Sequence, residues 1–286
     1  RYISVTGVQT CALPISLTTL RGTRVGVMQL INATCDGQAT AFSEEAVQYA
    51  PFFAAHASVA IERGIMTREL ILRMMKMAEM RDPSETGAHV QRVGAYAAEI
   101  YQRMAENQGL DGLEIKRKKD LIRLAAMLHD VGKVAISDLI LKKPAKLSDE
   151  EFATMRWHTV YGAALFAHST SDLDDLCADI AQGHHERWDG TGYPGRLAED
   201  LGKVTGLCVR PKRGGEIPLP ARITALADVF DALCSRRSYK DPWSEDQVLE
   251  VIHAERGRHF DPAVVDAFLS IFDVVQAIRE KYRDEA

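Results

Sequence analysis

The sequence predicts a helical bundle over residues 83–286, preceded by a partial α/β fragment and a long connecting helix. Three observations carry this. Apolar residues recur every three or four positions, as in Val90, Val93, Ala97, Ile100 and Met104. β-Branched, strand-like runs are confined to residues 24–32 and 201–209. The side chains suited to metal chemistry are spread over at least four helical segments.

Composition narrows the function classes. The 286-residue chain carries a net charge of −5, so no overall basic field argues for a nucleic-acid polymer as partner. No apolar stretch reaches the ~18–20 residues of a membrane span. The five cysteines are odd in number and contain no CxxC pair, which fits reduced thiols and a cytoplasmic location.

Residues 5–16 resemble a translated sequencing-library adaptor, so residues 1–16 are read as an artefact and set aside from the fold. Residues 24–32 form a strand by their β-branched content, with turn signals at Asn32 and Asp36-Gly37. Ser43 is placed to cap the helix that follows. The strand, polar turn and alanine-rich helix resemble the C-terminal end of a GAF sensory domain, giving a remnant over residues 17–66 and a connecting helix to about residue 82. In that helix Ile61, Ile65, Leu72 and Met75 fit alternating heptad positions, with Arg68 interrupting the seam. Packing against the next domain and a dimeric coiled coil both explain this pattern. Pro83 ends the helix, and Ser84 can cap the next one.

Eight potential metal-binding side chains follow: Glu85, His89, His129, Asp130, His158, His184, His185 and Asp228. Imidazoles and carboxylates together suit Fe, Mn or Zn, and eight exceed the needs of one ion. A centre of two or three metals is the natural reading, and bridged metals point to phosphate-ester chemistry. Glu85 and His89 are i and i+4, hence on one helix face. His129 and Asp130 would point about 100° apart on a regular helix, as suits an aspartate that bridges two ions beside a histidine that binds one. Ser148 and Glu151 form a capping box that should open the helix carrying His158. His184-His185 lies near a helix end where Gly183 permits close approach. Asp228 sits in an otherwise apolar helix, where a carboxylate is costly unless paired or metal-bound. Asp231 is expected to hydrogen-bond nearby groups. His56, His168, His253 and His259 have no such context.

The motifs HDxGK (from His129), HHExxDGxGYP (from His184) and DxxDAL (from Asp228), with the lone His158 between the first two, occur in the order of the HD-GYP phosphodiesterases. Over roughly residues 80–270 the chain resembles this branch of the HD metallohydrolase superfamily. The resemblance implies an all-α HD-GYP helical bundle, preceded by the partial α/β GAF-like fragment. It implies His129, Asp130 and Lys133 as catalytic residues and all eight side chains above as metal ligands, with Glu85 accompanying a third ion. Lys133, Arg237 and Lys240 would contact substrate phosphate and guanine, and Gly192, Tyr193 and Pro194 form the motif loop. Two departures stand out. Ser238 replaces a proline beside Arg237, and 22 residues separate Pro194 from Ile217, implying an insertion at about 198–214 that forms a small hairpin or lid.

The implied reaction is metal-dependent hydrolysis of cyclic di-GMP to linear pGpG, and on to GMP if a second bond is cut. Three carboxylates against two or three divalent ions leave about +1 to +3, which attracts a phosphodiester. Fe or Mn is the expected metal, and the expected further partners are a second copy through the connecting helix and diguanylate cyclases of the GGDEF type or response regulators. Two other readings stay open. The substrate could be cyclic GMP-AMP or a guanosine polyphosphate, or the chain could be a non-catalytic cyclic di-GMP receptor. A receptor is expected to lose metal ligands, whereas this chain keeps all eight.

Overall fold

A computed structural model describes residues 12–19, 21–31, 33–35, 38–81, 86–200, 203–235 and 243–283. Glu85 and the whole cationic segment 236–240, with Arg237, Ser238 and Lys240, lie outside these residues, as do Pro83 and Ser84. The chain divides into two compact units, residues 1–72 and 73–286.

In the first unit β1 (Ala12–Thr18) pairs antiparallel with β2 (Arg24–Ile31), in register from Ala12↔Ile31 to Thr18↔Arg24. Residues 12–16 of the adaptor-like segment are therefore part of a strand pair. The connecting turn is closed by Thr19 N–H to Thr23 O at 2.8 Å and by Gly22, whose φ of 80° suits a residue without Cβ. A second short pair joins β3 (Thr34–Cys35) to β4 (Gln38–Ala39). The long helix α1 (Glu44–Arg81) starts where the sequence places it, with Ser43 Oγ accepting from Ala46 N–H at 3.1 Å. It buries Ala50, Ala54 and Ser58, then Ile71 and Met75, while the heptad candidates Ile61 and Ile65 are exposed.

Among the described residues the second unit is helical apart from one hairpin. Its helices are α2 (Gly87–Asn107), α3 (Gly112–Ala126), α4 (Asp138–Leu141), α5 (Asp149–Met155), α6 (His158–Ala164), α7 (Asp172–Gly183), α8 (Leu219–Cys234), α9 (Glu245–Ala254), α10 (Pro262–Ser270) and α11 (Phe272–Lys281). α2 is central, packing on α3, α8, α10 and α11, and α7 fills the space between α3, α6 and α8. The predicted face of α2 is inward: Val93, Ala97 and Ile100 are fully buried. Tyr96 meets Phe230 edge-on at 5.4 Å and Phe230 meets Phe268 at 5.0 Å, so aromatic packing ties α2, α8 and α10 together.

Three local expectations are corrected. The cap of α2 is Thr86, whose hydroxyl accepts from His89 N–H at 3.1 Å, rather than Ser84. The capping box of Ser148 and Glu151 opens α5, but α5 stops at Met155 and His158 begins a separate helix, α6. The break is stabilised where the His158 ring and the Thr159 hydroxyl take the carbonyls of Met155 and Arg156. His129 and Asp130 lie beyond the end of α3, leading into a 3₁₀ turn over Val131–Ala135 instead of a regular helix.

The residues expected as an insertion form a hairpin, with β5 (Arg196–Asp200) antiparallel to β6 (Lys203–Arg210). Its base is held by Arg196 and Arg210, both bonded to Glu216.

Candidate metal centre

Close backbone approach assembles the site. Gly132, in the turn after Asp130, packs directly on the start of α6: a Cβ there would lie 1.9 Å from His158 O and 2.4 Å from Gly162 N. Only glycine at 132 lets the segment carrying Asp130 reach His158. Gly183 serves similarly at the end of α7, where a Cβ would stand 2.9 Å from Ala221 Cβ on α8. That contact brings His184 and His185 up to the helix that carries Asp228.

Seven of the eight sequence-predicted ligands converge; the eighth, Glu85, is outside the described residues. They form two groups, Asp130 with His158, His184 and His185, and His89 with His129 and Asp228, the ligand atoms within each lying within 4.8 Å of one another. Asp130 faces both. Its Oδ1 lies 3.1 Å from His158 Nε2 and 3.4 Å from His184 Nε2, whereas its Oδ2 lies 3.3 Å from His129 Nε2. Asp228 Oδ1 lies 3.5 Å from His89 Nε2 and 3.9 Å from His129 Nε2.

The hydrogen bonds set the histidine tautomers. Nδ1 of His129 contacts Ala126 O at 2.8 Å, Nδ1 of His158 contacts Met155 O at 2.7 Å, and Nδ1 of His184 contacts Ile180 O at 3.0 Å. A carbonyl can only accept, so each Nδ1 carries the proton and a neutral ring presents a lone pair at Nε2. Nε2 of His158 and His184 and Oδ1 of Asp130 are buried without a hydrogen-bond partner among the described residues. Lone pairs facing one another across about 3 Å of dry interior repel unless a cation lies between them. These residues therefore fit divalent metal, and either group could hold an ion.

The charge states agree. Burial, reinforced by neighbouring imidazoles, pushes His185 well below the ordinary histidine range, and burial also lowers His184. Burial opposes ionisation of Asp130, but the Lys133 ammonium and the His129 ring outweigh it and hold its carboxyl well below the usual range. At neutral pH the centre therefore offers neutral imidazoles at His184 and His185 and an ionised carboxylate at Asp130. Lys133 Nζ stands 2.8 Å from Asp130 Oδ2, at the edge of the centre.

The motif loop closes one side. Tyr193 stacks on His185 with centroids 4.8 Å apart, and its N–H donates to His185 O at 3.1 Å. Burial and the Asp130 charge raise its phenol, so it stays protonated. Gly195 N–H donates to the buried Glu186 carboxyl at 2.7 Å, and the amides of Trp188 and Asp189 bond the carbonyls of His259 and Arg258. Gly192 has no room for a side chain, since a Cβ would sit 2.3 Å from Arg187 N.

Sequence reasoning missed Arg156. Its guanidinium lies over the rings of Phe152 (4.6 Å) and Tyr193 (5.3 Å), placing a cation beside the motif loop. The one signal in the sequence was its position two residues before His158. Arg92, which bonds Asp231, was missed too.

Comparison with known proteins identifies the family. The HD domain family model matches residues 86–233, and a second HD domain model matches residues 206–264. The chain is 43% identical over 218 residues to the 3'3'-cGAMP-specific phosphodiesterase 2 of Vibrio cholerae, covering 76% of this chain and 37% of that protein. It is 40% identical over 226 residues to a cyclic di-GMP phosphodiesterase of the same organism, covering 77% and 43%. It is 38% identical over 216 residues to the cyclic di-GMP phosphodiesterase of Thermotoga maritima, covering 75% and 52%. The chain spans about half the length of these curated relatives, or less. A match extending from the cap of α2 through α8, across all seven converging residues, places the chain in the HD domain family.

Proposed function

We propose that residues 83–286 are an HD-GYP phosphodiesterase that hydrolyses cyclic di-GMP to linear pGpG, with GMP as the product of a second cut. The observation that carries this reading is Asp130, whose two carboxylate oxygens face separate histidine groups, as a ligand bridging two ions must. Two or three divalent ions, Fe or Mn, would supply a hydroxide nucleophile and neutralise charge on the phosphate. His89, His129, Asp130, His158, His184, His185, Asp228 and Glu85 would hold them. Lys133 is placed to exchange its contact with Asp130 for a phosphate oxygen, and Tyr193 walls off water on the His185 side. The test is protein loaded with Fe(II) or Mn(II), given cyclic di-GMP, with products separated by chromatography. Linear pGpG in the loaded sample and none after chelation supports the reading; intact substrate in both contradicts it.

A second reading has its own support. The relative at 43% identity is named for 3'3'-cGAMP, so cyclic GMP-AMP belongs in the same assay as a competing substrate.

Arg237 and Lys240 are proposed as substrate contacts. Arg237→Ala should leave metal content intact and raise KM about ten- to a hundredfold, the worth of one charge-assisted hydrogen bond of roughly 1.5–3 kcal/mol. Lysine there should recover only part, lacking the guanidinium fork. Wild-type kinetics in Arg237→Ala would remove that role. For Glu85, alanine should lower the metal count from three towards two; an unchanged count in elemental analysis takes Glu85 out of the cluster.

A regulatory setting is proposed as well. Ile61, Ile65, Met66 and Leu70 expose apolar surface along α1, which supports pairing with a second copy through the connecting helix downstream of a GAF-like sensor. Cyclase or response-regulator partners and a cytoplasmic site follow from the family resemblance. Among the described residues, no helix is long and apolar enough to cross a membrane.

A further inference from the structure

We propose that Asp231 and Arg92 are positioning residues for the metal centre, a buried pair that fixes the tautomer and aim of His89. The proposal deepens the metal-centre reading above and rests on it.

Two packed helices each present a ligand candidate and, three residues later, a second charged side chain: His89 and Arg92 on α2, Asp228 and Asp231 on α8. Residues three apart share a helix face, so the four side chains meet in one layer. Asp231 accepts from His89 Nδ1 at 2.8 Å through Oδ2. Arg92 grips the same carboxylate with both prongs, Nε on Oδ1 at 2.6 Å and Nη2 on Oδ2 at 2.8 Å. Ser235 Oγ adds a contact to Oδ2 at 3.2 Å. Asp231, Arg92 and His89 are 1%, 3% and 7% exposed, so this network is buried.

Both oxygens of Asp231 are thereby engaged in hydrogen bonds, although it lies one turn from Asp228. The His89 ring is held between two aspartates of one helix, with Nδ1 on Asp231 and Nε2 turned to Asp228 at 3.5 Å. An ionised carboxylate can only accept, so it fixes the proton on Nδ1 and leaves the Nε2 lone pair for the ion. The other ligand histidines named above receive this instruction from backbone carbonyls of their own local turn. His89 alone among those four depends on a side chain from a different helix. Arg92 is itself anchored from the end of α11, its Nη1 donating to Tyr282 O at 2.8 Å.

The test is metal titration of purified wild-type and Asp231→Asn protein with Mn(II), read by elemental analysis and competition with a chelator, alongside thermal melting. One ion should bind about ten- to a hundredfold more weakly in Asp231→Asn, the usual effect of removing such an outer partner, with the remaining occupancy unchanged. Wild-type affinity and count in a folded Asp231→Asn would overturn the proposal, as would a lowered melting temperature with metal binding preserved. Wild-type protein that binds no metal would overturn the metal-centre reading itself, and this proposal with it. Should Asp231→Asn not fold, nitrogen-15 NMR of the wild-type imidazoles decides, with the His89 signals identified by their loss in His89→Gln. A protonated Nδ1 and unprotonated Nε2 are expected; the opposite tautomer overturns the proposal.

Discussion

Asp130→Ala is expected to abolish turnover and strip the centre of metal, the largest loss of any single substitution in the site. Asp130 is the one described side chain whose two oxygens reach both histidine groups, at 3.1 Å from His158 and 3.3 Å from His129. Removing it deletes a negative charge facing several inward lone pairs and also the partner of Lys133 at 2.8 Å. A fall in kcat/KM of about a thousandfold or more is expected, on the order of 4 kcal/mol of transition-state stabilisation. Steady-state kinetics with metal analysis on the same sample check it. Turnover within tenfold of wild type, at full metal content, would remove Asp130 from the bridging position. Asp130→Asn gives the sharper comparison, because it preserves volume while losing the charge.

The second large effect is on assembly of the centre. Gly132→Ala places a Cβ 1.9 Å from His158 O and 2.4 Å from Gly162 N, both backbone atoms that cannot swing aside. Either the turn after Asp130 moves away from α6 or the substitution is not tolerated. Overpacking against side chains costs about 1–3 kcal/mol, and a backbone clash belongs at or above the top of that range. A loss of about 3 kcal/mol lowers the melting temperature of a domain this size by roughly 6–12 °C. Gly64→Ala is the matched control. Gly64 lies inside α1 with nothing within 4 Å of the position its Cβ would take, so alanine there should be neutral or stabilise by up to about 1 kcal/mol. Equal melting temperatures for the two variants would contradict the close approach of Gly132 to α6.

What was legible in the sequence was local, and what was not depended on contacts between elements. Ser43 and Ser148 announce their helices because a cap is decided within four residues. The residues that converge were legible because His129-Asp130 and His184-His185 follow apolar helical runs and carry motif glycines. The cap of α2 was misplaced by two residues because Ser84 and Thr86 both offer a hydroxyl, and only the folded turn selects between them. The division of α5 from α6 was hidden for another reason. It is stabilised by the His158 ring bonding its own backbone and accommodates Gly132 against His158 O, a contact across 26 positions of sequence that no local pattern reveals. Asp231 was expected to hydrogen-bond nearby groups, and it does; that the group is His89 emerges only when α8 lies against α2. The heptad reading of α1 placed Ile61 and Ile65 in a seam, yet both are exposed within this chain, since periodicity marks a face without saying what covers it.

Anomalous X-ray diffraction from crystals of Mn(II)-loaded protein tests the two-group centre most directly. One peak is expected among Asp130, His158, His184 and His185 and another among His89, His129 and Asp228, with Asp130 reaching both ions. A third peak, if present, should touch Glu85. Manganese absent from both groups, or a single ion that Asp130 does not touch, would contradict the account.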